Sequence, residues 1–141
     1  MKLIDANVLI AAVDQTHAQH AIAHGWLESA RASGERIALA TVVALAFLRI
    51  TTHPKISRHP LDSTQALAWL HRLCATPTVR WLHPGPDHLH YLGLHVSGPI
   101  TGNLVNDAHL AALAREHGAT VVSFDRDFLR FEGVRLEVPG A

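Results

Sequence analysis

Three aspartates sit where a short apolar run stops or a helix begins. Asp5 follows Leu3-Ile4, Asp107 lies early in the helix-patterned stretch 100–118, and Asp125 follows the β-branched run 120–123, with Asp127 two residues on. An apolar run ending in an acid reads as a strand tip. In open α/β sheets ligands bind at the carboxyl ends of the strands, so acids placed there are positioned for chemistry. Asp5 and Asn7 are wedged between Leu3-Ile4 and Val8-Leu9-Ile10, and a carboxylate so enclosed must be paired, hydrogen-bonded or metal-bound. The alternative reading of Asp5, a helix N-cap directly after a strand, requires only a backbone N–H. Asp107 stands about 200° round the helix from His109 and so turns toward the sheet. Glu116, about 180° from Asp107, shares the opposite polar face with His109 and is left out of the site. If Asp5, Asp107 and Asp125 converge, their charges repel, and without a cation at least one of them takes up a proton more readily than usual. A hard divalent ion relieves this. Mg²⁺ or Mn²⁺ prefers oxygen ligands, keeps several waters and is completed by substrate phosphates, which is an arrangement for phosphodiester hydrolysis.

The elements that must position these acids alternate along the chain. Leu3-Ile4 is a first strand. Helical spacing follows from His17 to Arg31, with Ala18, Ile22, Trp26 and Ala30 as its apolar stripe and Gly34 as its stop. His17, His20 and His24 fall on the opposite, solvated face. Residues 37–40 form a second strand, and Thr41 caps a helix through VVALAFLRI, which contains no acid. TTHPKISRHP, residues 51–60, is a basic loop broken by two prolines, with loop solubility favoured over phosphate contact. Asp62 or Ser63 caps a helix to Cys74 with Leu67, Leu70 and Cys74 inward, so Cys74 reads as core. Residues 79–82 are a third strand, and Pro86 opens a short helix that ends by Gly98-Pro99. The helix over 100–118 has Asn103 as cap, Gly118 as stop and Leu104, Ala108, Ala111 and Ala112 inward. Strand 120–123, a helical turn over 128–131 and a strand at 136–138 complete the chain. This alternation predicts an α/β/α sandwich on a mostly parallel sheet, residues 1–141 forming one domain.

Composition excludes several classes. With 141 residues, 48% of them apolar, the chain can bury one core. Lys and Arg balance Asp and Glu at 12 each, so contact with a polyanion requires a local patch or bound cations. No apolar run reaches the roughly 20 residues that span a bilayer. The single cysteine and the absence of a signal-like N-terminus point to the cytoplasm. Twelve histidines occur in no zinc-binding spacing.

The motifs LIDANVLI, NDAHLAALA and VVSFDRDF, with the flanking THP and GNLVND stretches, resemble the PIN-domain ribonucleases, most closely the VapC-type toxins of bacterial type II toxin–antitoxin pairs. The resemblance covers nearly the whole chain. It implies Mg²⁺- or Mn²⁺-dependent endonucleolytic cleavage of RNA, a homodimer, and neutralisation by a small cognate antitoxin. Carried over residue by residue, the metal-binding acids are Asp5, Asp107 and Asp125, with Asp127 matching a further acid. Asn7 and Ser123 match auxiliary polar positions that orient ligands. One feature departs from the pattern: the second family acid, usually a Glu, is replaced by Ala46. That puts a second metal in doubt and leaves as alternative a PIN module that binds RNA or an antitoxin without cutting. Arg49, Arg126 and Arg130 are candidate RNA-phosphate contacts and equally candidate surface arginines. A phosphatase using Asp5 as nucleophile ranks below these readings, because the acid expected two residues on is Asn7.

Overall fold

The computed structural model describes all 141 residues. Its elements run β1 (Lys2–Ile4), α1 (Ala6–Val13), α2 (His20–Ala32), β2 (Ile37–Leu39), α3 (Thr41–Thr51), α4 (Ser63–Cys74), β3 (Val79–Trp81), α5 (His88–His95), α6 (Asn103–Glu116), β4 (Thr120–Val122) and β5 (Arg135–Glu137), with a 3-10 turn at Arg126–Arg130. The strands form one sheet in the order β3-β2-β1-β4-β5, and every pair is parallel. Parallel neighbours need crossovers, and right-handed crossovers put α1–α4 on one face and α5–α6 on the other. The chain winds outward from β1 to β3, then returns to place β4 against the free side of β1. That reversal makes the β1/β4 boundary the switch point of the sheet, where a crevice opens beyond the strand ends.

The three-residue strands are apolar on both faces where they are central. Leu3, Ile4, Ile37, Ala38, Leu39, Val121 and Val122 are all buried, as a parallel sheet covered on both sides requires. Phe47 of α3 is fully buried and stacks on Trp69 of α4, with ring centroids 5.1 Å apart, which fastens the α3–α4 hairpin to the core.

Several sequence expectations are corrected at the level of helix faces. The helix expected from His17 begins at His20, because the Asp14 side chain accepts from both the N–H and the hydroxyl of Thr16 and holds the preceding residues in a turn. His20 Nδ1 lies 2.9 Å from the Ala11 carbonyl oxygen, tying α2 to α1. The buried stripe of α2 is therefore Ala23, Leu27 and Ala30, while Ile22 is exposed. In α4 the inward residues are Ala66, Leu70 and Leu73. Leu67 is exposed and Cys74 only half-buried, a register shift set by the Asp62–Gln65 capping box. The N-cap of α6 is Gly102, with φ +60°, rather than Asn103, which is already helical. Thr41 likewise is the first helical residue of α3, after an Ala40 cap without a side-chain bond.

The largest correction concerns α6. It has no polar face: Ala108, Leu110, Ala111, Ala112, Leu113 and Ala114 are all buried, because α5 packs over the side on which His109 and Glu116 were expected to meet solvent. His109 Nδ1 lies 2.9 Å from His88 Nε2. The Glu116 carboxylate accepts from the N–H groups of Gly85 (3.1 Å) and Asp87 (3.2 Å). A Cβ at Gly85 would meet Glu116 Oε1, so the carboxylate would have to shift from its present place for any other residue to stand there.

Phe47→Ala is expected to cost about 3–5 kcal/mol through lost burial and an unfilled cavity. Urea unfolding checks this. A loss below about 1 kcal/mol would show that α3 and α4 are not fastened through this ring.

Candidate metal-carboxylate site

The switch point gathers the acids. β1 and β4 pair in register Ile4↔Val122, and the Asp5 N–H donates to the Val122 carbonyl at 2.9 Å, so the next residue on each strand, Asp5 and Ser123, leaves the sheet side by side. Asp5 has extended backbone dihedrals and caps α1. Its Oδ1 accepts from the Ala6 N–H at 2.7 Å and its Oδ2 from the Ser123 hydroxyl at 2.7 Å. The capping reading of Asp5 and its placement in the site thus hold together.

Ser123 is completely buried, and its hydroxyl is saturated. It gives its one proton to Asp5 and accepts from the Asn7 side-chain amide at 2.9 Å and the Asp125 N–H at 3.0 Å. Because that proton is committed to a carboxylate, Asn7 must present its NH₂ to Ser123, which leaves its carbonyl to accept from the Phe124 N–H at 3.2 Å. Asp125 in turn accepts from the Asp127 N–H at 2.8 Å and caps the 3-10 turn. The expected auxiliaries Asn7 and Ser123 therefore join β1, α1 and β4 in one network beneath the acids.

Asp107 reaches the same place from α6. Burial first, then the charges of Asp5, Asp125 and Asp127, push its carboxyl up to about 6, while Arg130 opposes the rise. Asp5 is also raised, chiefly by burial. Its bonds from Ser123 and Ala6 oppose that, and the Asp125 charge adds to it. Asp5, Asp107, Asp125, Asp127 and Arg130 thus feel one another's charge. Asp127 and Arg130 are exposed. Arg49 and Arg126 are exposed too, and neither forms an ion pair or hydrogen bond with the acids. Ala46 is half-buried on α3, which carries no acid.

No three His, Cys, Asp or Glu side chains close into a ready-made metal cage. Carboxylates without a cation repel and stand apart, and Mg²⁺ or Mn²⁺ needs only one or two of them beside water. The donor set, all hard oxygen, and the reluctance of Asp107 to ionise beside other acids both fit a divalent cation held by Asp5, Asp107 and Asp125. A hollow of 480 Å³ between the far ends of α1 and α3 contains none of these acids. The His88–His109–Glu116 network was missed in the sequence because no local pattern announces that α5 folds back onto α6.

The weakened acidity of Asp107 has a stability consequence. A carboxyl whose folded value lies above its unfolded one contributes stability below the unfolded value and loses it as pH rises through the folded value. For Asp107 that window runs from 3.8 to about 6. Asp107→Asn is therefore expected to stabilise the metal-free protein at pH 7 by on the order of 1 kcal/mol, after discounting for solvent screening of a half-exposed side chain. Melting temperatures in EDTA should diverge between pH 4 and 6 and stay parallel above. A constant difference across pH 4 to 8 contradicts this electrostatic account.

Comparison with known proteins agrees with the geometry. A family model described as the PIN domain matches residues 2–134. Ribonuclease VapC37 of Mycobacterium tuberculosis is 42% identical, over 100% of this chain and 99% of that protein. Ribonuclease VapC25 of the same organism is 38% identical over 96% of each. Among solved structures, VapBC2 from Rickettsia felis, bound to a DNA fragment from its promoter, superposes with a TM-score of 0.68 at 21% identity over 98% of each chain. Mycobacterium tuberculosis VapC20, described as a Sarcin-Ricin loop cleaving toxin, gives 0.66 at 21% identity over 96% of this chain and 99% of that one. At such identities the solved structures speak to the fold alone, whereas the full-length sequence relatives and the domain model speak to descent: this chain belongs to the PIN-domain family, among the VapC proteins.

Proposed function

We propose that this protein is the toxin of a toxin–antitoxin pair, an endoribonuclease that hydrolyses RNA phosphodiester bonds using Mg²⁺ or Mn²⁺ held by Asp5, Asp107 and Asp125. The observation that carries the reading is that the Ser123 hydroxyl holds Asp5 and the Asp125 backbone together at the β1/β4 switch point, where their charges also make Asp107 harder to ionise. When bound, the cation supplies an activated water and neutralises charge on the phosphate. The protein's own residues do the rest. Ser123 and the Ala6 N–H fix the Asp5 carboxylate, so that it meets its ligand without reorganising. Asp107 would supply a further oxygen ligand, and because its carboxyl is harder to ionise than usual, its binding of a cation would weaken as pH falls. Arg130, close enough to ease ionisation of Asp107, is placed to meet a phosphate oxygen. Arg49 and Arg126, both exposed, are further candidates for the same task.

Relatives named as VapC ribonucleases support the activity. Solved relatives described as VapBC support a cognate antitoxin as partner. A homodimer and a cytoplasmic location belong to the same reading; no helix is long and apolar enough to cross a membrane. A second reading, a module that binds RNA or its antitoxin without cutting, is favoured by one observation: α3 offers Ala46 and no acid.

RNA cleavage is expected with Mg²⁺ or Mn²⁺, to stop in EDTA, and to fall in Asp107→Asn by more than about a hundredfold, the upper end of what loss of a ligand-orienting partner costs. Retained cleavage in the variant sinks the site assignment. If millimolar Mn²⁺ leaves the melting temperature unchanged while RNA still binds, the non-cutting reading holds. Ala46→Glu should tighten Mn²⁺ binding on the order of tenfold, a melting-temperature gain equivalent to about 1.4 kcal/mol. Unchanged affinity would show that position 46 does not face the metal.

A further inference from the structure

At the opposite end of α6 from Asp107, two guanidinium groups border a hollow of 310 Å³. Arg115 is half-buried. Its guanidinium carbon lies 5.3 Å from the centre of the Tyr91 ring, and Nη1 donates to the Glu132 carbonyl at 3.1 Å. Arg135, at the start of β5, donates through Nη2 to the Gly118 carbonyl. Both anchors are backbone oxygens, so each arginine is oriented but not neutralised. Neither forms an ion pair, and no acid lines the hollow. The Glu132 side chain is exposed and unpaired, and Glu116, next to Arg115 in sequence, is turned to Gly85 and Asp87. Gly118 (φ +64°) and Gly133 (φ +77°) give the floor its bends. A Cβ at Gly133 would sit 3.0 Å from the Arg115 guanidinium carbon, so the absence of a side chain there is what lets the group lie against the loop. The uncompensated charge is felt nearby: burial first, then Arg115, holds His95 below the usual histidine range.

Two forks with unused donors beside an aromatic ring suit a phosphate better than a spherical anion, because guanidinium donors match phosphate oxygens in pairs and the ring offers a face to an attached base. We infer that Arg115, Arg135 and Tyr91 form a second, non-catalytic site for a nucleotide phosphate, remote from the carboxylates. Eight residues separate Arg115 from Asp107, about 12 Å along the helix, so the site acts on affinity and not on bond breaking. This rests on the ribonuclease reading only for the natural source of the phosphate, an RNA strand; a free mononucleotide shares the chemistry.

The test is amide chemical-shift titration of the full-length protein in EDTA with inorganic phosphate, AMP and a short oligoribonucleotide, using acetate as control. Phosphate and AMP are expected to move the Gly118 and Gly133 signals, and Arg135→Gln, an exposed substitution that leaves Arg115 and the core intact, to abolish the response. If the oligoribonucleotide moves the same signals, the source is RNA. In that case Arg135→Gln should lower the slope of log affinity against log salt by about 0.7, the value for one phosphate contact on a single strand. A response to AMP with none to the oligoribonucleotide makes the natural ligand a mononucleotide. Absence of any response at these amides, an equal response to acetate, or an unaltered response in Arg135→Gln overturns the site. Cleavage measured in parallel separates the two proposals: active enzyme without these shifts removes this inference alone, and shifts without cleavage remove the ribonuclease reading alone.

Discussion

The parallel pairing of β1 with β4 is the constraint on which the rest depends. These strands are far apart in sequence, yet their register sets Asp5 beside Ser123, and the Ser123 hydroxyl then links Asp5, Asn7 and Asp125 in one set of hydrogen bonds. A one-residue slip would reverse the face of every side chain on β4 and put Ser123 where Val122 belongs. The hydrophobic residues of β4 exclude that slip, so the apolar core fixes the geometry of the acids. Stability and chemistry share the same two strands.

Around that pairing the molecule maintains an electrostatic conflict. Burial first, then the charges of Asp5, Asp125 and Asp127, make Asp107 hold its proton more readily, Asp5 is raised by burial and by Asp125, and Arg130 is the one basic group that counters the rise at Asp107. The fold tolerates this because the carboxylates are anchored by backbone or hydroxyl donors, or remain partly open to water. Carboxylates gathered in this way oppose one another's ionisation, so the arrangement costs stability where they are charged.

Much of this was legible in the chain. Asp5 and Asp125 announce themselves as acids that interrupt apolar runs, and the angle of about 200° between Asp107 and His109 turns Asp107 toward the sheet, where it feels the charges of Asp5 and Asp125. Fold class followed from the alternation of short apolar runs with helical spacing. What failed were helix faces decided by partners distant in sequence. Ile22 looked like core, but the Asp14–Thr16 turn delays the start of α2 and rotates it outward. Glu116 looked solvated, but its ligands are N–H groups of a loop about thirty residues earlier, and backbone donors leave no trace in residue type. The convergence of Asp107 with the strand-tip acids was an inference from topology, which only the order of strands could supply.

The helix that carries Asp107 is packed closely on two sides. Ala108, Ala111, Ala112 and Ala114 let the sheet on one side and α5 on the other approach its backbone. A larger side chain at any of these positions would push the layers apart, and a polar one would be stranded between them. The side chains of Arg126, Asp127 and Arg130 on the 3-10 turn are exposed and meet no such packing limit, so the acids at this end of the sheet stand between a wall that admits almost no change of volume and a rim that admits a great deal.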